Sequence, residues 1–239
     1  MSESEEIIRR YERRKAIPGN RYSPLNASTF MSEQEKERTL IKLIKKVKLE
    51  PLGDKRLLEI GCGTGTNLLQ LIRLGFQPEN LFANDILAER IAEAKKKLSN
   101  QITFFEGDFL NINFNDELFD IVFQSMVFSS ILDDDFKQKV AAKMWQLTKP
   151  GGGILWYDFF YNNPNNNDVK GVTLENIKNY FPGNNMTSYK LTLAPPISRI
   201  VTKVHPNLYT IFNSIYFLNT HLLCFIKKSQ DLKRGSYSF

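Results

Sequence analysis

The chain has 239 residues, 42% hydrophobic and 24% charged, with a formal net charge of +6. That length holds one large domain or two small ones around a real core, and no apolar run of 18 residues offers a membrane span. The start, MSESEEIIRRYERRKA, lacks the apolar stretch of a secretory signal, and two distant cysteines, Cys62 and Cys224, fit a reducing cytoplasm better than a disulfide framework.

Charge is spread unevenly. Residues 1–56 and 188–239 are basic, and the stretch between them is acidic. Such ends either build a site for an anionic substrate or surface, or are ordinary solvated charge with a basic tail.

Residues 1–54 read as a helical arm or lid. They mix charge with Tyr11, Tyr22 and Phe30 and carry turn signals at Pro18-Gly19 and Ser23-Pro24. Ser32, three residues before Glu35, has the spacing of a capping box. It opens a predicted helix, SEQEKERTLIKLIKKVK, whose Leu40, Leu43, Ile44 and Val47 share one face. Pro51-Leu52-Gly53-Asp54 ends it.

Residues 55–228 form the predicted core. Strands are expected at 56–60, 81–85, 102–107, 119–125 and 153–159, with helices at about 66–74, 87–98 and 134–148. Gly75 and Pro150-Gly151 mark helix ends. Alternating strands and helices predict a doubly wound α/β fold with a parallel sheet and helices on both faces. After Phe159 comes a polar loop, YNNPNNNDVKG, then a helix capped by Thr173 and a strand at 188–194. A helical insertion at about 195–216, broken at Pro206, is expected on the substrate side. A closing strand at 220–228 and a flexible tail, 229–239, complete the chain.

Ligands of such sheets sit beyond the carboxyl ends of the strands. After strand one comes LLEIGCGTG, with Gly61, Gly63 and Gly65 at alternate positions around Cys62. Glycine permits positive φ and close approach of a ligand to bare backbone. The loop leads to Asn67 and a helix N-terminus with unpartnered N–H groups. Asp85, followed by Ile86, ends strand two and suits a ribose. Asp108 and Phe109, after strand three, suit an adenine's amine and ring. Gln124 ends strand four. The G-x-G-x-G spacing differs from the dinucleotide pattern G-x-G-x-x-G. Glu59 beside the loop suits a cationic cofactor and would repel a pyrophosphate.

LLEIGCGTG, Asp85, Asp108 and the KPGGGILWYDF strand together resemble the class I S-adenosylmethionine-dependent methyltransferases over roughly residues 55–160. That resemblance implies a Rossmann-like, seven-stranded, mostly parallel sheet with one antiparallel strand, here THLLCFIKK. It also implies that the glycine turn holds the methionine part of S-adenosylmethionine, Asp85 the ribose, and Asp108 with Phe109 the adenine. More loosely, RYSPLN, LWYDFFYNNP and LAPPISRI resemble bacterial methyltransferases of surface-polysaccharide and natural-product biosynthesis.

Methyl transfer needs acceptor, methyl and sulfur in line and water excluded. An amine or hydroxyl acceptor also benefits from a base. Asp158, among aromatics at the end of strand five, is a candidate base or a hydrogen-bonded structural carboxylate. His205 in the insertion is a second candidate, whereas His221 reads as structural. Ser129 either positions an acceptor or caps the next segment. Tyr11, Arg14 and Tyr22 from the arm and Arg199 from the insertion are candidate substrate contacts, since arginine forks suit carboxylate or phosphate.

Strand four ends QSMVFSSI, without the Asn/Asp-Pro-Pro-aromatic signature of enzymes that methylate bases or amides. The expected function is therefore methyl transfer to a small, anionic acceptor, at a sugar hydroxyl or a carboxylate. The alternatives are a small amine or an RNA or protein acceptor. Nucleic acid is argued against by the division of the basic residues between two ends. No metal is expected, and Asp133-Asp134-Asp135 reads as a helix start that meets the dipole.

Overall fold

The computed structural model describes residues 2–14, 23–162 and 166–230. Seven strands form one sheet: β1 (Leu57–Ile60), β2 (Leu81–Asp85), β3 (Thr103–Glu106), β4 (Phe119–Ser125), β5 (Thr148–Phe159), β6 (Asn185–Leu193) and β7 (Asn219–Lys227). Their order is β3-β2-β1-β4-β5-β7-β6. Strands β1 to β5 pair in parallel. Strand β7 runs antiparallel to both β5 and β6, and so is the antiparallel strand expected at 220–228.

The central strands of a doubly wound sheet are covered on both faces, so their pattern is largely apolar. All four residues of β1 are buried. Leu58 and Ile60 point into one core with Val122, Ile154 and Trp156, closed by α5 (Asp134–Leu147) and α6 (Leu174–Tyr180). Leu57 points into the other with Phe123, Leu155 and Tyr157, closed by α2 (Ala27–Val47) and α3 (Thr66–Leu74). Leu43 of α2 and Leu68 of α3 are fully buried there, each burial being worth about 2 kcal/mol. The remaining helices are α1 (Glu3–Arg14), α4 (Ala88–Lys97), α7 (Pro195–Val204) and α8 (Leu208–Asn213).

Helix α2 starts at Ala27, five residues before the expected Ser32. The capping box does not form. The Ser32 hydroxyl donates to the Thr29 carbonyl at 2.9 Å, and Glu35 reaches into the body of the protein. A spacing rule cannot tell a cap from a residue one turn inside a helix. Strand β6 begins at Asn185, three residues before the expected start. The caps at Thr173 and Asp133 do form. The insertion breaks around Pro206 as expected, separating α7 from α8. Met31 of α2 packs with Leu193, Val201 and Tyr209 beneath it. Most of the expected tail, residues 231–239, lies outside the described residues, as does Tyr22.

Candidate active site

The glycine loop leaves β1 at Ile60 with φ of 64° at Gly61, 56° at Gly63 and 83° at Gly65. A Cβ on Gly61 would sit 2.4 Å from Val127, and one on Gly65 2.4 Å from Leu98, so close packing adds to the positive φ in favouring glycine at both. A Cβ on Gly63 would meet only the Arg90 guanidinium, at 3.8 Å. Gly63 therefore offers bare backbone to a ligand. Its N–H donates to Asp85 Oδ2 at 2.8 Å, and Leu87 N donates to Asp85 Oδ1 at 2.9 Å. Asp85 thus fixes the loop while each oxygen keeps a free lone pair. Cys62 N donates to the Asn84 carbonyl. Burial pushes the Cys62 thiol well above its usual range, so it remains a thiol.

Glu59 is fully buried on the α2 and α3 face of β1. Its Oε1 accepts from Asn67 Nδ2 at 2.7 Å, and its Oε2 has no partner. Desolvation is the main cause of a carboxyl pKa pushed up to about 8, against the opposing pull of Asn67 and Lys36. An orphaned buried carboxylate oxygen is costly unless a donor arrives. A ligand ammonium beside the glycine loop would supply that donor and a compensating charge.

Asp108 lies two residues past β3, accepting from Leu110 N at 2.9 Å and from the Ser4 hydroxyl of α1 at 2.7 Å. Phe109 is buried against Phe114, with the Lys143 ammonium 5.1 Å over its ring. It belongs to the core as much as to the site. Ile86 is half-buried beside the same core. Gln124 is buried and shapes the turn after β4, accepting from Val127 N at 3.1 Å and donating to the Tyr157 carbonyl at 3.3 Å.

The acceptor-side expectations fall into separate places. Asp158 is fully buried on the sheet face opposite Tyr157, accepting from Ser129 N at 3.1 Å and Phe159 N at 2.9 Å. Burial raises its pKa to about 6. Ser129 is buried above it. His205 is exposed at the end of α7, its Nδ1 accepting from Asn207 N. Arg199 lies on the exposed side of α7, because the small residues Ser198, Val201 and Thr202 form the inner side. Tyr11 lies between the guanidinium groups of Arg14 (4.8 Å) and Arg90 (4.4 Å), and Arg14 donates to the Asp168 carbonyl at 2.9 Å.

Lys36 is the residue that sequence reading missed. It is 8% exposed, donates to Asn67 Oδ1 at 3.3 Å, pairs with Glu33 at 2.6 Å and stands 5.3 Å over the Tyr157 ring. Tyr157 stacks on His221 at 5.1 Å and meets the Thr192 hydroxyl at 3.0 Å. Burial, with Lys36 nearby, lowers the His221 pKa to about 3, so its imidazole is neutral. Thr192 holds φ of 67°, unusual for a β-branched residue, fixed by its N–H donating to Glu35 and by its carbonyl accepting from Thr220. No signal in the sequence joins Lys36 to residues so distant along the chain.

The fold is that of the class I S-adenosylmethionine-dependent methyltransferases. Residues 57–152 match the family described as Methyltransferase domain. The chain is 28% identical over 118 residues to sterol 24-C-methyltransferase ERG6A of Gibberella zeae, covering 47% of this chain and 30% of that enzyme. It is 39% identical over 54 residues to the malonyl-[acyl-carrier protein] O-methyltransferase of Bacteroides fragilis, 23% of this chain and 11% of that enzyme. The chain thus spans less than a third of the length of either relative. Its fold matches Haemonchus contortus phosphoethanolamine N-methyltransferase 2, solved with S-adenosyl-L-methionine, with a TM-score of 0.56 at 18% identity. That match covers 80% of this chain and 52% of the other. Among the described residues, no group of three His, Cys, Asp or Glu side chains could hold a metal ion.

Proposed function

We propose that this protein transfers a methyl group from S-adenosylmethionine to an oxygen of a small anionic acceptor, a carboxylate above all. One observation carries the choice: the buried Lys36 ammonium stands between the cofactor loop and the Tyr157–His221 pair. S-adenosylmethionine, when bound, supplies an electrophilic sulfonium methyl. The orphaned Glu59 oxygen and the bare Gly63 backbone fit its ammonium and methionine chain. Asp85 would take the ribose hydroxyls and Asp108 the adenine amine, with Phe109 behind it.

On the acceptor side, Lys36 would exchange its half-exposed partner Glu33 for a substrate carboxylate. Tyr157 and neutral His221 would wall the site and exclude water. A carboxylate acceptor needs no proton removed, in keeping with Asp158 being engaged by two backbone N–H groups on the other sheet face. Asp158 instead positions the Ser129 turn. The buried free thiols Cys62 and Cys224 accord with a cytoplasmic setting. No described helix is long and apolar enough to cross a membrane.

The test is incubation with methyl-labelled S-adenosylmethionine and panels of carboxylic acids, sugar acids, neutral sugars and amines. Label that alkali releases as methanol supports a methyl ester. Alkali-stable label in an amine overturns the reading. Lys36→Gln should raise the acceptor KM at least about tenfold while leaving cofactor affinity near normal.

A further inference from the structure

The insertion between β6 and β7 turns several of its large apolar residues outward, while Val201 and Tyr209 pack inward. Ile200 and Val204 of α7, Ile211 of α8, and Tyr216 and Phe217 of the turn after it are 60 to 77% exposed. The inner side of α7 is made of Ser198, Val201 and Thr202. A solvated helix carries the opposite arrangement, and exposed apolar patches mark interaction surfaces. Arg199 and Lys203 are exposed one turn apart on the same helix, and residues 195–218 contain no acidic residue at all.

We propose that this insertion docks the protein onto the surface of an anionic lipid bilayer. Protruding aliphatic and aromatic side chains bordered by cations are what an interfacial helix uses: the apolar residues enter the headgroup boundary and the cations meet lipid phosphates. Tyr216 and Phe217 would sit at headgroup depth, where aromatic rings are favoured. Charge complementarity selects the lipid over a second copy of the chain. A two-fold interface would press Arg199 and Lys203 against their own equivalents with no carboxylate in the insertion to pair them. The surface is built to stay rigid. Tyr209 Oη and Asn213 Nδ2 of α8 both donate to the buried Glu35 of α2.

The test is co-sedimentation of the full chain with phosphatidylcholine vesicles, with and without phosphatidylglycerol. The expected result is salt-sensitive binding to the anionic vesicles alone. Arg199→Glu with Lys203→Glu should weaken it about tenfold or more. Tyr216→Ser with Phe217→Ser should abolish it. These positions lie outside the cofactor site, so thermal unfolding and S-adenosylmethionine affinity, measured alongside, should stay unchanged and certify the fold. No sedimentation at any composition overturns the proposal, as does equal binding by the charge-reversed variant. A dimer in sedimentation velocity that Phe217→Ser dissolves, without vesicle binding, assigns the face to a second copy. Binding of polyglutamate in place of vesicles assigns it to an acidic polypeptide. Either result overturns the lipid surface without touching the methyl-transfer reading.

Discussion

Asn67 stands between two buried ionisable side chains: its Nδ2 donates to Glu59 at 2.7 Å while its Oδ1 accepts from Lys36 at 3.3 Å. One amide thereby orients the group proposed for the cofactor ammonium and the group proposed for the acceptor. Asn67→Ala should weaken S-adenosylmethionine binding and raise the acceptor KM together, whereas Lys36→Gln should affect the acceptor alone. Calorimetry for the cofactor and initial rates for the acceptor separate the two. Equal cofactor affinity in wild type and Asn67→Ala would remove Asn67 from the site.

Glu59 links cofactor affinity to pH. Its folded pKa of about 8 leaves the free protein protonated there at pH 7. A bound ammonium favours the ionised form. Binding should therefore release a proton, and affinity should rise with pH until Glu59 ionises in the free protein, near pH 8. Calorimetry at pH 7 in buffers of different ionisation enthalpy should report that release. Glu59→Gln should bind at least about tenfold more weakly, with the buffer dependence lost.

Asp85 holds Gly63 N and Leu87 N with its two oxygens. Asp85→Ala should both weaken S-adenosylmethionine binding and destabilise the apoprotein by about 1–3 kcal/mol, since the buried Leu87 N–H and the partly buried Gly63 N–H lose their acceptor. A melt without cofactor distinguishes the second effect from the first. An unchanged cofactor affinity would refute the ribose assignment.

Glu35 accepts from Thr192 N at 3.0 Å, Tyr209 Oη at 2.7 Å and Asn213 Nδ2. Removing it strands three donors and releases the φ restraint on Thr192. Glu35→Ala should cost about 3 kcal/mol, lowering Tm by roughly 6–12 °C for a chain of this size.

His221 is held neutral, with a pKa of about 3 against the usual 6.5. Between those values the unfolded chain binds the proton and the native chain does not. Stability from this residue is therefore complete above pH 6.5 and falls as pH drops toward 3. Urea midpoints at pH 7 and about pH 5 should differ less in His221→Gln than in wild type. Equal pH sensitivity would place the proton elsewhere.

The parts of the fold visible in the sequence are those written in local periodicity. The β1–loop–α3 unit reads directly from LLEIGCGTG and an amphipathic helix, and the break at Pro206 follows from a missing N–H. The start of α2 does not, because Ser32 and Glu35 have capping spacing but serve other ends. The residues proposed for the cofactor cluster at or just after the ends of successive strands, so one topological rule locates Gly63, Asp85 and Asp108 together. The acceptor side follows no such rule. Lys36 meets Tyr157 and His221 only through the packing of α2 across β6 and β7. Arg199 looks like a substrate contact until the small inner face of α7 shows which side turns out. Asp158 ends an aromatic run, yet strand alternation sends it to the opposite face from Tyr157.

Neighbouring positions on α2 face different partners, Glu35 gripping the insertion and Lys36 the first turn of α3. This constrains how the chain could be refitted for another acceptor. A transplanted insertion would have to bring its own phenol and amide to the Glu35 carboxylate. A graft without them would leave a buried anion stranded one residue away from Lys36. On the acceptor site proposed above, acceptor range is accordingly easier to alter by replacing proposed wall residues such as Tyr157 than by exchanging the whole segment.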